Sequence, residues 1–247
     1  MSAKYEKNVY LAMLAEQCNR FEEMSEFLEQ MVKTREKDLN SDERNLLSIA
    51  YKNSVTSRRT SLRTIGAYEN KEKKKDNSPF LPYIQEYKKK IEEELTKMCN
   101  RVIDVINNDL LPRAESASDN EGIVFYKKMV GDYHRYIAEY AQGELKQNVA
   151  SKALEAYNKA TEKAALLNAI HPIALGLSLN FSVFYYEVMN DHEKACTIAK
   201  NTLDRANKEL PQNVDEDDEQ YRDAMSIINL LKENLEMWKI EGEEGDN

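Results

Sequence analysis

The chain has 247 residues, enough for one large helical unit or two small domains with a sizeable core. Only 7 Gly and 5 Pro stand among abundant Ala, Leu, Glu and Lys, which favours long helices and argues against a β-rich fold. With 35 basic against 44 acidic side chains the net charge is −9, which argues against a general nucleic-acid or anionic-membrane binder, since both need a basic surplus.

Residues 1–19 lack the apolar core of a signal peptide, and no apolar run approaches the roughly 20 residues that span a bilayer, so a cytoplasmic protein with no membrane partner is expected. Apolar periodicity predicts about nine helices, near 4–18, 21–34, 41–69, 80–111, 120–141, 145–168, 171–189, 191–208 and 217–239. Start and stop signals support them. Ser41-Asp42-Glu43 precedes the third, a charged loop over 71–76 leads to Pro79 and Pro82, and Pro112 closes the fourth. His171-Pro172 opens the seventh, Asn190-Asp191-His192-Glu193 separates it from the eighth, and Pro211 starts an acidic loop. Most connections are short, so the fold class is all-α, a bundle of antiparallel neighbours. The acidic tail, 241–247, has no apolar content and is expected to be disordered.

Cys18, Cys99 and Cys196 are odd in number and far apart, each in a helical pattern, as reduced core cysteines are. His134, His171 and His192 lack ligand spacing, so neither a metal nor a cofactor is expected. Ala153-Leu154-Glu155-Ala156-Tyr157 and Lys194-Ala195-Cys196-Thr197-Ile198 suggest a helical-hairpin repeat, but their separation of 41 or 42 residues exceeds the tetratricopeptide period of about 34.

Four stripes carry chemistry. Lys52, Arg59 and Arg63 lie at i, i+7 and i+11, three cations on one face, which reads either as a solvated basic surface or as an anion site. Lys128, Asp132, Arg135 and Glu139 repeat that spacing. They form an ion-pair ladder unless Arg135 and its neighbour Tyr136 supply a guanidinium fork and a phenol to a phosphate. Gly176, Asn180, Val183 and Glu187 interrupt an apolar helix, where polar groups need partners or a cavity. Ile227, Leu230 or Leu231, Asn234 and Trp238 share the last stripe, as core or as ligand wall.

Arg44-Asn45-Leu46-Leu47-Ser48-Ile49-Ala50-Tyr51-Lys52-Asn53 resembles the signature run of 14-3-3 proteins. Gly131-Asp132-Tyr133-His134-Arg135-Tyr136 and Leu177-Ser178-Leu179-Asn180-Phe181-Ser182-Val183-Phe184-Tyr185-Tyr186-Glu187 are similar to two more of its motifs, as is Leu230-Leu231-Lys232-Glu233-Asn234-Leu235-Glu236-Met237-Trp238. The likeness is colinear from Tyr5 to Trp238.

The resemblance implies a single helical domain over 1–240, with a concave groove and a cup-shaped homodimer, and heterodimers with related chains. It implies that Lys52, Arg59, Arg135 and Tyr136 hold the phosphate of a phosphoserine or phosphothreonine client. Asn180 and Asn234 would hold the peptide main chain, Glu187 and Trp238 would bond one another and the ligand region, and Leu179, Val183, Ile227 and Leu230 would form the apolar wall. Arg63 joins the basic cluster and Lys128 the peptide-binding set. Across the dimer, Arg20 would meet Glu94, Glu23 would meet Lys90, and Leu14, Cys18 and Tyr87 would supply the apolar part. Ser61, after Arg58-Arg59-Thr60, matches a position near that contact, either as an ordinary small interface residue or as a kinase target whose phosphate would weaken the dimer. Ser226 and Val130 depart from the common Leu and Lys, which bears on sequence preference.

No phosphate loop, nucleophile elbow or metal spacing supports an enzyme, so no catalytic residue is assigned. A tetratricopeptide-like scaffold for unmodified peptides is the other reading. Arg59→Ala and Arg135→Ala are both expected to weaken phosphopeptide binding with melting nearly unchanged.

Overall fold

The computed structural model describes residues 3–210 and 218–245, with side chains described over 6–210 and 218–240. Every regular element among the described residues is helical, in agreement with the all-α expectation: α1 (Ala3–Gln17), α2 (Phe21–Thr34), α3 (Ser41–Lys73), α4 (Leu81–Val105), a π-helical segment (Ile106–Leu110), α5 (Leu111–Ser116), α6 (Asn120–Ala138), α7 (Gly143–Ala164), α8 (Pro172–Glu187), α9 (His192–Glu209) and α10 (Glu219–Gly245). Two compact units contain them, Met1–Ala117 and Ser118–Asn247.

In the first unit α1 packs on α2, α2 on α3, and α3 on α4. Met24, Leu28 and Met31 on α2 and Leu95, Cys99, Val102 and Ile106 on the α4 rod follow the i, i+4, i+7 period and are fully buried. A polar tie crosses this core. The Tyr51 hydroxyl donates to Glu29 Oε1 at 2.6 Å, and Arg101 Nε reaches the same oxygen at 2.6 Å, joining α2, α3 and α4.

Several boundaries differ from expectation. The third helix does not stop at 69 but runs to Lys73, because Glu69 pairs with Lys73 across one turn and with Lys88 on α4. Those two cations hold the Glu69 carboxyl down at about 2. The expected helix over 80–111 is interrupted by the π segment, in which the Leu111 N–H donates to Ile106 O, and it resumes through Ser116. Pro112 lacks an N–H and its ring would clash in a regular turn, so the wider turn just before it lets the rod continue where the sequence suggested an end.

The cap of α3 is Asn40 and not the Ser41 triplet. Asn40 Oδ1 accepts from Glu43 N at 2.9 Å, and Glu43 Oε2 accepts from Asn40 N at 2.8 Å, a reciprocal capping box. Asn40→Ala is therefore expected to remove about 1 kcal/mol and lower the melting temperature by about 2–4 °C, with Ser41→Ala leaving it unchanged in the same calorimetric scan.

In the second unit α6 pairs with α7, α8 with α9, and α10 packs on both α8 and α9. Tyr157 and Phe184 are fully buried, and Tyr157 stacks on Phe181 with ring centroids 5.1 Å apart. The His171 ring accepts from Ile173 N at 3.3 Å and caps α8, with Pro172 in its first turn. Residues 241–245, expected to be disordered, continue α10 as helical backbone to Gly245, consistent with the helix propensity of their glutamates. Residues 246–247 and the acidic loop at Pro211 lie outside the described residues.

Cys99 is buried as expected, but Cys18 is exposed just beyond α1 and Cys196 is half-buried, and all three are free thiols. No helix among the described residues is long and apolar enough to cross a membrane.

Candidate functional site

The first unit carries one of the predicted stripes. Lys52 and Arg63 stand exposed on α3, and Arg59 between them is half-buried. Buried Tyr51, Ser54, Val55 and Leu62 fix the inner face of the same helix, which leaves the three cations on its outer side.

In the second unit the predicted ladder on α6 closes into a buried cluster. Asp132, 5% exposed, sits one turn from both Lys128 and Arg135. Its carboxylate accepts from Lys128 Nζ at 2.9 Å, Asn180 Nδ2 at 2.9 and 3.0 Å, and the Tyr157 hydroxyl at 2.6 Å, with Arg135 Nη2 at 3.4 Å. Three of the predicted ligand residues, from α6 and α8, thus meet at one carboxylate that the ladder reading treated as one rung among four. Arg135, 6% exposed, also places Nε 3.2 Å from the Tyr157 oxygen, Nη1 3.5 Å from Glu139 Oε1, and its guanidinium carbon 4.7 Å from the centre of the Tyr136 ring.

Charge accounting explains why such burial is tolerated. Burial alone would push the Asp132 carboxyl up, but the Lys128 and Arg135 cations reverse that and hold it below the ordinary value. Burial likewise opposes the Arg135 cation, and the Tyr157 oxygen and the Asp132 carboxylate outweigh it. Burial, with Asp132 beside it, pushes Tyr157 well up, so the phenol keeps its proton. Nearby His134 is held down at about 4 by burial and by Lys152, and is neutral at pH 7.

On α8, a Cβ at Gly176 would lie 3.7 Å from Lys128 Cε and 4.0 Å from Ile227 Cδ1, so α6, α8 and α10 converge there. Leu179, Val183, Ile227 and Asn234 are half-buried, whereas Leu230 is 45% exposed and Leu231 fully buried, which selects Leu230 as the outward member of the last stripe. Val130 is buried and Ser226 exposed.

The expected bond between Glu187 and Trp238 is absent among the described residues. Trp238 lies stacked on Tyr186, with centroids 4.7 Å apart and planes 13° apart, and Tyr186 stacks in turn on His192 at 4.2 Å. With the indole held flat and only 4% exposed, Glu187 is left on the surface.

The residues expected at a dimer contact all lie in the first unit. Leu14 and Tyr87 are 49% and 55% exposed, Cys18 and Lys90 are exposed, and Ser61 is half-buried, donating to Ser57 O at 3.0 Å. Within one chain the expected cross-dimer charges have nearer partners. Arg20 pairs with Glu23 one turn away, and Glu94 lies 3.4 Å from Arg58. A surface hollow of about 520 Å³ in the second unit is lined by Gly143, Lys146, Gln147, Ala150, Ser151, Leu154, Val188 and Met189, and includes none of the predicted ligand residues.

Tyr157 was not found from the sequence. Its nearest sequence signal is Gly131, whose missing side chain admits the ring, and nothing local announces that pairing.

The chain matches the family model of the 14-3-3 protein over residues 11–239. It is 47% identical over 235 residues to the 14-3-3 protein homolog of Trichoderma harzianum, covering 95% of this chain and 87% of that protein. It is 46% identical over 240 residues to the 14-3-3-like protein GF14 nu of Arabidopsis thaliana, covering 96% of this chain and 88% of that protein. To the 14-3-3 family protein artA of Aspergillus flavus it is 46% identical over 235 residues, covering 95% and 96%. Near-complete coverage in both directions, by proteins of fungi and a plant, makes this chain a member of the 14-3-3 family.

Proposed function

We propose that the chain is a phosphoserine/phosphothreonine peptide-binding adaptor with no catalytic activity, working in the cytoplasm. Family membership supports the coarser role of binding client proteins. The observation that carries the finer reading is the Asp132 cluster, where Lys128, Arg135 and Asn180 converge with Tyr136 set against the guanidinium. Such a cluster holds cationic and amide donors in fixed positions before any ligand arrives.

On this reading Lys52, Arg59, Arg135 and Tyr136 are the phosphate-binding residues, each charge-assisted bond contributing about 1.5–3 kcal/mol where desolvated. Arg63 and Lys128 extend the basic side. Asn180 and Asn234 hold the peptide main chain, Glu187 and Trp238 border it, and Leu179, Val183, Ile227 and Leu230 take its apolar residues in a concave groove. An unmodified serine brings no anion to these cations, so discrimination comes from the charge-assisted bonds it cannot make. Fluorescence-polarisation titration of one peptide in phosphorylated and unmodified forms tests this. Tight binding of the first alone is expected, and equal binding of both would favour the scaffold for unmodified peptides.

Two copies pair, on this reading, through the first unit. Tyr10, Leu14, Tyr83 and Tyr87 are 67%, 49%, 70% and 55% exposed, large apolar side chains that a second copy would cover on this reading. Burying side chains of this size contributes about 1.5–3 kcal/mol each, whereas rim ion pairs contribute under about 1 kcal/mol. Sedimentation equilibrium is therefore expected to show a dimer at low micromolar concentration, and Leu14→Glu to raise its dissociation constant at least about tenfold. A monomeric parent would remove the dimer claim, and the same assay of Ser61→Glu tests the switch.

A further inference from the structure

Arg135 is held by partners of unequal closeness. Its Nη1 and Nη2 make long contacts of 3.5 and 3.4 Å with Glu139 and Asp132, outside the range of about 2.7–2.9 Å for a full charge-assisted bond. Its Nε faces the Tyr157 oxygen at 3.2 Å, and the Tyr157 hydroxyl gives its proton to Asp132 Oδ1 at 2.6 Å. Chemistry fixes these directions, since a guanidinium only donates and a carboxylate only accepts, leaving a hydroxyl as the group able to serve both at once.

Tyr157 belongs to α7, the helix packed on α6, and its ring is stacked on Phe181 and tilted against Phe184 at 5.5 Å. Fully buried, it can act on a ligand only through another residue. The ring reaches this place because residue 131 has no side chain. A Cβ there would fall 2.7, 2.8 and 2.9 Å from ring atoms Cε1, Cδ1 and Cζ of Tyr157, closer than any real contact.

We infer that Tyr157 is a positioning residue of the phosphate site, holding the guanidinium by Nε so that both Nη groups stay available to an anion, and that Gly131 is the clearance this requires. The inference rests on the phosphopeptide reading given above. Without the hydroxyl, Nε must seek another acceptor, the fork rotates, and the anion meets a guanidinium that has to be reoriented.

The test uses the full chain and a fluorescein-labelled decapeptide with one central phosphoserine, beside its serine twin. Tyr157→Phe keeps the ring and removes only the hydroxyl, and is expected to raise the phosphopeptide Kd five- to twentyfold. In an Arg135→Lys background, titrated to millimolar concentration, the same substitution is expected to change Kd less than twofold, because the group it acts through is gone. Gly131→Ala, which keeps the hydroxyl but displaces the ring, is expected to reproduce the loss, and carries the test alone if Tyr157→Phe melts below the working temperature. A Kd within twofold of the parent for the folded variants, or an equal loss in both backgrounds, overturns the inference while the phosphopeptide reading stands. A parent that fails to separate the phosphopeptide from its serine twin overturns both.

Discussion

Arg135→Ala is expected to weaken phosphopeptide binding by about 2–4 kcal/mol and to destabilise the fold by about 3 kcal/mol in the same protein. The second half of that expectation departs from what the sequence suggested, which was unchanged melting. Arg135 is 6% exposed and one of two cations that hold Asp132 ionised, so its removal leaves a buried carboxylate with less counter-charge. Lys128, Asn180 and the Tyr157 hydroxyl still reach that carboxylate, which keeps the loss at the lower end of the range for a broken buried pair. A drop in melting temperature of about 6–12 °C should accompany the lost affinity. Arg59 is half-exposed on the outer side of α3, and for Arg59→Ala the affinity loss without a melting change still stands. Titration and thermal unfolding of the two variants side by side check the contrast. A stable Arg135→Ala would mean the cluster is looser than its distances imply.

Asp132→Asn should lower stability by about 3–5 kcal/mol at pH 7, although the side chains have nearly the same shape. An amide cannot balance Lys128 and Arg135, and its NH2 group adds donors to a site already full of them. The pH dependence has a definite sign. The Asp132 pKa is lower in the folded state than the ordinary value of about 3.9, so its contribution is fully present above that value and is lost as pH falls through the folded one. The gap between parent and variant should hold from pH 7 down to about 4 and narrow below it, as the parent's carboxyl becomes neutral like the amide. Urea unfolding of both proteins across that range measures the gap. A gap independent of pH would show that charge is not its source.

Which parts of this molecule can be read from its sequence follows from how far each contact reaches along the chain. Helices such as α2 and α6 are written in the spacing of their own apolar residues, and the cations of α3 in the spacing of Lys52, Arg59 and Arg63. The Asp132 cluster was half legible. Lys128 and Arg135 are its neighbours on one helix, but the same spacing serves an exposed ladder, and only burial separates the two. Tyr157 lies on another helix 25 residues away from Asp132, and no local pattern records that its hydroxyl joins Asp132 to Arg135. The stack of Trp238 on Tyr186 was missed for the same reason, since ring orientation depends on three helices at once. Pro112 was read as a stop because proline usually breaks a regular turn, and the π segment before it absorbs the break.

Phosphorus-31 NMR of a bound peptide with one phosphoserine, followed as pH is lowered, tests most directly whether its phosphate sits among these cations. Free phosphoserine takes up its proton with a pKa near 6. A phosphate held by two guanidinium groups, a lysine and a phenol should stay dianionic to at least about one pH unit lower, because each cation favours the charged form. A bound phosphate that still titrates near 6 would place it in open solvent and contradict the account.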